Sequence, residues 1–515
     1  MNVSSELLLP DRMTLPGAGE ALAGALAVRD GVQHEADRVY YDTFDGLLHG
    51  AAVSLLHEDG RLFLVERETG LVRFSLPMER PGGPLFAREL ATGPMREALA
   101  ELAELRALLP LVELHARDRL IAVLDDEQKT VVRLVLEEAT LTGGAGAGAR
   151  LRPRVRITPV RGYDDERRRV QATLEHELGW GPAAEPLVDE AVRATGGVPG
   201  GFRAKIDVPL RLGARADAAA AAVLRALLDV VEANLEGTIA DLDSEFLHDL
   251  RVSVRRSRAV QRELRGVFPP DALAHFRAEF RWLQQASGDA RDLDVHVIEF
   301  EEVRGLVPSA LRADLDPLLD VLRARRVQAH RSLVRALRSE RATGLLSAWR
   351  AFLDGLEGAG EADRPDAGRP IGAVAGERIR KVYRQMVRMG DAIEPSSPAE
   401  DYHELRKKGK ELRYLLELFG APLYPGEVVK PMVRTLKGLQ DVLGRHQDRE
   451  VQVALLRALG PEVGEAENGQ AALMAMGALV ARLSEDEHAA RAEFAGRFAE
   501  FASGEQRRLV KETFG

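Results

Sequence analysis

The spacing of apolar positions changes near residue 202. Before it, short runs rich in β-branched and aromatic residues alternate with turn pairs such as Asp45-Gly46 and Asp59-Gly60. This pattern is typical of strands joined by tight turns, and two stretches of helical periodicity interrupt it. We therefore expect an α+β domain over 1–202 with mainly antiparallel strands. Strands are predicted between 38 and 74 and at 120–124, 130–138 and 150–160, and helices at 96–109 and 166–179.

From residue 203 onward the apolar residues recur at helical spacing, and Ala, Leu, Arg and Glu predominate. A stretch rich in Gly, Pro and Asp over 357–371 is typical of an exposed linker, and it separates two halves, 215–356 and 372–515. The sequence predicts that 203–515 is all-helical. Helices are predicted at 216–243, 245–266, 271–287, 290–304, 309–339, 343–356, 373–391, 399–419, 426–443, 446–457 and 469–512.

The two helical halves repeat each other. The motif His248-Asp-Leu-Arg251 returns as His403-Glu-Leu-Arg406, and residues further along both halves match in the same order. Ordered matches of His, Gly, Gln and Asp are rarer by chance than matches of Ala, Leu or Arg. The repeat therefore predicts a duplicated four-helix unit. The later matched pairs are Arg255 with Lys410, Arg258 with Arg413, Arg281 with Lys437, Gln284 with Gln440, Gly288 with Gly444 and Asp292 with Asp448.

Each motif begins a helix with one apolar face and one cationic face. At about 100° per residue, the basic residues of the first motif fall within an arc of about 80°, with Leu250 and Val254 on the other side. The second motif gives a shorter stripe, because Glu417 stands where the first has Arg262. The first stripe is His248, Arg251, Arg255, Arg258 and Arg262, and the second is His403, Arg406, Lys410 and Arg413.

Two interpretations of these stripes remain open, a solvated helix face and an anion-binding site. An ordinary exposed face interleaves acids and bases at i,i+4 spacing, whereas these stripes contain no acid along their length. Each like-charge pair costs a few tenths of a kcal/mol, a cost that an anion would offset. Because the arrangement occurs twice at matched positions, we favour the anion-binding site.

The length of the stripe indicates the kind of anion. Five cationic positions over four turns span about 20 Å, which suits a linear polyanion better than one phosphate or carboxylate. Arg matches phosphate oxygens with its guanidinium fork. Nucleic acid or an acidic protein remains an alternative partner, but only 5% of residues are aromatic, the stripes offer no stacking platform, and no nucleic-acid-binding signature is present. A polymer of bare phosphate fits best.

The segments that begin at His248 and His403 resemble the two signature helices of the CHAD family, the conserved histidine α-helical domain. Residues 288–295 and 443–451, GDARDLDV and LGRHQDREV, resemble the family's later motif, and the resemblance covers about 215–515. It implies two four-helix bundles related by a pseudo-twofold axis. It also implies a basic pore or groove that binds inorganic polyphosphate, often on polyphosphate granules.

By this resemblance the basic residues of both stripes become polyphosphate contacts. Arg281 and Lys437 are added because they occupy equivalent repeat positions, and Lys407 because it lies at the edge of a stripe. The expected polyphosphate-binding residues are His248, Arg251, Arg255, Arg258, Arg262, His403, Arg406, Lys407, Lys410, Arg413, Arg281 and Lys437.

The first domain resembles the CYTH family of triphosphate tunnel metalloenzymes. The stretch Tyr40-Tyr-Asp-Thr and the junction FRAK at 202–205 carry this resemblance, which implies an antiparallel β tunnel or barrel. The family's opening Glu-x-Glu-x-Lys is replaced by Ser4-Ser-Glu-Leu-Leu-Leu, and its late Glu-x-Glu by Arg152-Pro-Arg-Val-Arg156. Arginine cannot supply the oxygen ligands that Mg²⁺ needs. We therefore expect a degenerate CYTH-like domain with no catalytic residues, metal or cofactor.

Two alternatives concern this domain. One is a Mg²⁺-dependent triphosphate or polyphosphate hydrolase that uses Glu137, Glu138 and Lys129, with the helical domain as its substrate-binding module. The other concerns the row of Arg152, Arg154 and Arg156. Either this row binds an anion without metal, or it lies on a solvated face of the strand. The two-residue alternation of arginines is equally consistent with both.

Composition adds exclusions. Among 515 residues there is no Cys, which excludes disulfides, Cys-ligated metals and thiol nucleophiles, and suits the cytoplasm. No apolar run reaches a membrane span of about 20 residues, and no signal peptide is recognisable. The net charge of −10 argues against a general basic coat but permits a local basic site. We expect a cytoplasmic protein, on polyphosphate granules if the resemblance holds, with no membrane or specific nucleic-acid partner.

Overall fold

The computed structural model describes residues 6–357, 360 and 362–515. It comprises two compact units, Met1–Ala204 and Lys205–Gly515, and their boundary lies close to the one predicted between 202 and 203. No helix among the described residues is long and apolar enough to cross a membrane. Ser4 and Ser5 of the predicted opening strand lie outside the described residues, as do positions 358, 359 and 361 of the predicted linker.

The first unit is built on one antiparallel sheet of nine strands. Their order across the sheet is β5-β4-β3-β2-β6-β7-β8-β1-β9, and among the described residues the two edge strands do not pair with each other. The predicted closure into a tunnel or barrel is therefore not confirmed. The strands are β1 Glu6–Leu8, β2 Val28–Asp42, β3 Val53–Glu58, β4 Arg61–Glu66, β5 Val72–Pro77, β6 Leu109–Leu124, β7 Thr130–Leu141, β8 Arg154–Pro159 and β9 Gly181–Pro182.

Helices of the first unit fill the connections between strands. The helix predicted over 96–109 ends earlier than expected, at Ala103. The chain turns at Glu104, which has a φ of 51°, and the next strand begins at Leu109. The strand predicted at 120–124 is the end of the much longer β6. The helices are α1 Leu15–Ala25, α2 Leu47–Gly50, α3 Pro94–Ala103, α4 Asp164–Ala172 and α5 Leu187–Ala194, and a π-helical segment Thr173–Glu177 follows α4.

The arginine row of β8 is not a solvated face throughout. The side chain of Arg154 is fully buried, donates to Glu6 Oε2 at 2.7 Å and also pairs with Glu190. Arg152, two residues earlier, is exposed. The solvated-face interpretation is therefore wrong for Arg154, since neighbouring elements bring protein carboxylates to it, which the alternation along one strand does not reveal.

The regular elements described in the second unit are all helical, and they begin at Ala216 and end at Thr513. Asp241, with φ of 55°, ends the segment that was predicted as one helix over 216–243, and that segment forms two helices. The helices are α6 Ala216–Ala233, α7 Leu235–Ile239, α8 Ser244–Glu263, α9 Pro270–Ala286, α10 Gly288–Ile298, α11 Phe300–Arg304, α12 Asp316–Leu337, α13 Glu340–Gly355, α14 Ile371–Asp391, α15 Ala399–Leu415, α16 Ala421–Leu423, α17 Gly426–Gly464, α18 Gly469–Phe501 and α19 Gly504–Thr513, and a π-helical segment Leu416–Gly420 follows α15.

Two predictions for this unit need correction. The helices expected at 426–443 and 446–457 are one continuous helix, α17, because Gly444 is buried within it rather than ending it. The described part of the linker is not wholly exposed, because Arg364 is buried and donates to the carbonyl oxygen of Leu356 at 3.0 Å. Its guanidinium also lies 3.5 Å from a carboxylate oxygen of Asp217.

One hydrophobic core extends through both halves of the helical unit. It includes Leu224 and Trp349 from the first half and Leu405 and Phe419 from the second. A second cluster joins residues of α11 and α12 with residues of α17 and α18. The halves therefore share their interior, while the pseudo-twofold relation between two bundles stays a prediction.

We predict that Arg154→Ala lowers the local free energy of unfolding by about 3–5 kcal/mol, because it leaves the carboxylates of Glu6 and Glu190 without their buried partner. The measurement is native-state hydrogen exchange of the β7 and β8 amides. The matched control Arg152→Ala removes an exposed pair with Asp11 and should cost less than about 1 kcal/mol. Equal losses in the two variants would contradict the buried pairing.

Candidate anion-binding site

The two signature helices, α8 and α15, each bury the predicted apolar face. In α8, Asp243 caps the first turn by accepting from the backbone N–H of Glu245 at 2.8 Å, which satisfies a donor that the helix itself cannot. Leu250 and Val254 of α8 are fully buried, as are Leu405 and Leu412 of α15. The expected division of each helix into an apolar face and a cationic face is confirmed.

The structure brings the two cationic faces together. α8 and α15 are in contact, and Arg262 of α8 lies 2.9 Å from a carboxylate oxygen of Glu411 on α15. Four cations meet where the faces converge, two from each half of the repeat. This cationic seam consists of Arg251, Arg255, Arg406 and Lys410.

The seam is crowded and partly buried, and this environment shifts the pKa values of its residues. Burial, followed by the neighbouring charges of Arg406, Arg255 and Arg251, lowers the pKa of Lys410 to about 8, while Asp448 opposes the shift. Burial also lowers the pKa of Arg251 to about 10, an effect that Asp292 opposes and Arg255 reinforces. The seam is thus a partly desolvated cluster of like charges.

The first arginine of each motif is held in place by hydrogen bonds, but its partners occupy different repeat positions in the two halves. Arg251 donates through Nη1 to the carbonyl oxygen of Gln284 at 3.0 Å and to Ser287 Oγ at 2.9 Å. Arg406 donates to Gln447 Oε1 at 2.9 Å and to Asp448 Oδ1 at 3.2 Å. These bonds keep the two guanidinium groups facing the seam rather than solvent.

A glycine lies against the same arginine in each half. A Cβ at Gly288 would sit 3.9 Å from Nη1 of Arg251, and one at Gly444 would sit 3.6 Å from Nη2 of Arg406. The two halves of the repeat therefore build the same local contact between the signature helix and the helix that carries the later motif.

Arginines also surround one small cavity next to the seam. Arg258 and Arg262 of α8 meet Arg277 and Arg281 of α9 there, around the fully buried Gln261. Burial lowers the pKa of Arg258, and the three neighbouring arginines lower it further. Arg277 was missed from the sequence, although it lies four residues before Arg281 and therefore on the same helix face.

Several predicted contact residues carry acidic partners from neighbouring turns or helices. Arg413 donates to Glu417 at 2.6 Å, and the exposed Lys407 donates to Glu404 at 2.6 Å. Lys437 is exposed on α17. Acidic side chains that are absent from the stripes thus reach the basic residues from other positions. The sequence of one helix alone therefore overestimates the unpaired positive charge of its stripe.

The two motif histidines have different surroundings. Arg291 donates through Nη2 to Nδ1 of His248 at 2.8 Å, so that nitrogen accepts a hydrogen bond and carries no proton. His403 lies instead beside Glu400 and Glu404, and the three ligand atoms are within 4.8 Å of one another. Exposed groups of this kind are common without an ion, and we assign no metal to this one.

Comparison with known proteins identifies the helical unit. The sequence profile of the CHAD domain family matches residues 222–457, a range that includes all of α8 and α15. Residues 222–457 form a CHAD domain. The antiparallel sheet domain of the first unit lies outside the matched range.

Several known proteins are similar to part of this chain. Two uncharacterized proteins from strains of Mycobacterium tuberculosis are each 29% identical over 209 residues, which is 40% of this chain and 39% of each relative. The match thus spans about two-fifths of the curated relatives. The crystal structure of the CHAD domain from the plant Ricinus communis is 25% identical, with a TM-score of 0.47, over 58% of this chain and 96% of that one. PptA from Streptomyces chartreusis is 19% identical, with a TM-score of 0.41, over 55% and 99%.

We predict that Lys410→Met stabilises the ligand-free CHAD domain at pH 7 and raises its Tm by about 2–4 °C. Lys410 is protonated up to about pH 8 in the folded domain, but up to about pH 10.4 in the unfolded chain. Between these values the unfolded chain binds more protons, so the stability of the wild type rises with pH.

Thermal unfolding followed by circular dichroism at several pH values checks this expectation. The advantage of Lys410→Met should shrink as the pH rises from about 8 to about 10.4. Lys430→Met, at a site outside the seam, serves as the matched control and should show no such dependence. A Lys410→Met variant less stable than the wild type at pH 7 would contradict the repulsion within the seam.

Proposed function

We propose that this CHAD domain binds inorganic polyphosphate along the cationic seam and the arginine cavity beside it. The observation that carries the proposal is the convergence of Arg251, Arg255, Arg406 and Lys410 from both halves of the repeat. Burial and, after it, the charges of the three arginines lower the pKa of Lys410. Such a cluster is unfavourable without an anion, and bound phosphate oxygens would offset its repulsion. The CHAD family is linked in general to polyphosphate binding, which supports the same ligand.

A polymer suits the site better than an isolated phosphate. The basic positions extend along α8 from Arg251 to Arg262, which is about 16 Å at 1.5 Å per residue, and continue onto α15. Arginines outnumber lysines in the seam and its cavity, and their forks match phosphate oxygens.

Nucleic acid is the weaker candidate partner. Single strands bind through aromatic side chains on which bases stack, in addition to basic grooves. The seam consists of arginine and lysine, and Tyr414 on α15 has the guanidinium of Arg256 at 5.9 Å from its ring centre. A ligand of bare phosphates makes no use of a stacking platform.

For the first unit we propose a CYTH-like domain that does not hydrolyse phosphates. The carboxylate of Glu6 is bonded to Arg154, and Glu137 lies 2.5 Å from Nη1 of Arg38. Glu138 follows Glu137 on β7 and therefore points to the opposite face of the sheet, while the exposed Lys129 pairs with Glu127. Glu6 and Glu137 line one cavity with Arg38 and Arg156. Both carboxylates are already paired with arginines there, which supports a non-catalytic domain without metal or cofactor.

The same proposal extends to the setting of the protein. We place it in the cytoplasm, on polyphosphate granules, with polyphosphate as its partner rather than a membrane or specific nucleic acid. The absence of cysteine and the acidic net charge of −10 support this setting, because an acidic exterior disfavours general adhesion to polyanions.

We predict that Arg255→Glu combined with Lys410→Glu weakens binding of long-chain polyphosphate at least about a hundredfold. Each substitution replaces a cation of the seam by an anion that faces Arg251 or Arg406, so the helical fold should persist. Isothermal titration calorimetry gives the affinity, and circular dichroism checks the fold.

The matched control replaces two exposed arginines, one in α12 and one directly after it, as Arg331→Glu with Arg338→Glu, and should bind within about twofold of the wild type. Equal loss in both double variants would indicate general electrostatic attraction rather than a site. Single-stranded DNA that displaces polyphosphate at equal phosphate concentration and physiological salt would favour the nucleic-acid alternative.

We predict that the full chain releases no phosphate from tripolyphosphate in the presence of Mg²⁺, because Glu6 and Glu137 are engaged by arginines rather than free to bind a cation. A malachite-green assay at several protein concentrations measures the release. Release that is proportional to protein concentration, requires Mg²⁺ and disappears in Glu137→Gln would contradict the non-catalytic proposal. The exposed Glu127→Gln is the control for that variant.

A further inference from the structure

A second cationic groove lies between α14 and α19 of the helical unit. α19 follows the range that the CHAD profile matches, and the groove uses none of the residues of the seam. Its volume is about 500 Å³, within the roughly 300–1,000 Å³ of typical small-molecule sites. Its lining consists of Arg380, Tyr383, Arg384, Val387, Arg388, Asp391, Arg507, Val510 and Lys511.

The basic residues form two facing rows. Arg380, Arg384 and Arg388 recur every four residues of α14, so they share one face and extend about 12 Å along it. Arg507 and Lys511 recur in the same way on α19 and form the other wall. The groove thus presents cations from two directions to whatever lies between the helices.

Little acid balances these charges. Asp391 lies 3.5 Å from Nη2 of Arg507 at one end of the groove. Within the described part of the chain, the side chains of Arg384, Arg388 and Lys511 take part in no hydrogen bond or ion pair. Surface arginines elsewhere in this protein mostly pair with carboxylates, as Arg350 does with Glu232 at 2.6 Å. The groove therefore carries five cations against the single carboxylate of Asp391.

The floor between the two rows is apolar and fixed. Val387 and Val510 are buried there, and the Tyr383 hydroxyl donates to the carbonyl oxygen of Phe501 at 3.0 Å. Burial raises the pKa of Tyr383 to about 12, so the phenol stays neutral. An apolar floor lowers the local dielectric and strengthens the attraction of the surrounding cations for an anion.

We propose that the groove between α14 and α19 binds a short chain of condensed phosphates. A groove with cations along about 12 Å on both sides matches the length of several linked phosphate groups. One carboxylate or one phosphate would contact only one pair of guanidinium groups. The concave shape suits a small molecule better than a flat membrane surface. Inorganic oligophosphate and the triphosphate of a nucleotide share this chemistry.

The test uses the full chain with Arg255→Glu and Lys410→Glu, which remove two cations of the seam. We call this variant the seam-silenced protein. Calorimetric titration with inorganic tripolyphosphate, and separately with ATP, should still show one site per chain. Adding Arg384→Glu and Arg388→Glu should weaken that binding at least about tenfold, because each lost charge-assisted bond is worth about 1.5–3 kcal/mol. Binding of tripolyphosphate alone identifies the inorganic source, and equal or tighter binding of ATP identifies the nucleotide.

The matched control on the same two helices is Lys381→Glu with Arg508→Glu, exposed cations that do not line the groove. It should change the affinity by less than about twofold. If the charge-reversed groove variant loses its helical circular dichroism signal, Arg388→Ala with Lys511→Ala replaces it in the test, because this pair only truncates two exposed side chains. No binding by the seam-silenced protein, or equal loss in groove and control variants, would overturn the proposal.

The outcome separates the two proposed sites. For this comparison Arg384→Glu and Arg388→Glu are also placed in the otherwise wild-type chain. If the seam-silenced protein keeps wild-type affinity for long-chain polyphosphate and these groove substitutions alone abolish it, the groove is the polyphosphate site and the seam proposal fails. If the seam-silenced protein loses long-chain polyphosphate and the groove substitutions alone weaken only the binding of short phosphates, both proposals stand.

Discussion

The close approach of α8 and α15 is the constraint on which the helical unit depends. It brings Arg251, Arg255, Arg406 and Lys410 together although like charges repel, and burial together with this repulsion lowers the pKa of Lys410. Apolar packing on the other side of each helix holds this arrangement, since side chains such as Leu250 and Leu405 are fully buried in one shared core. A site kept cationic at a cost to stability is what selective capture of a polyanion requires.

Much of this site could be predicted from the sequence because helical periodicity is local. The placement of Arg251 and Arg255 on one face, with Leu250 opposite, follows from 3.6 residues per turn. The meeting of the two stripes is a tertiary contact that no single helix reveals. For the same reason Glu411, which approaches Arg262 from the other helix, could not be found from the stripe alone.

The first unit shows the same division between local and long-range information. Two-residue alternation places Arg154 and Arg156 on one face of β8, and Arg152 lies just before the strand begins. Only the sheet and α5 determine that Arg154 is buried against Glu6 and Glu190.

The most direct test of the account is the pKa of Lys410 measured by ¹⁵N NMR of its Nζ group, with and without long-chain polyphosphate. In the free protein the pKa should be about 8. Bound phosphates favour the charged form, so the complex should show a pKa shifted up toward the ordinary value near 10.4. A pKa that stays near 8 in a protein saturated with polyphosphate would contradict binding at the seam.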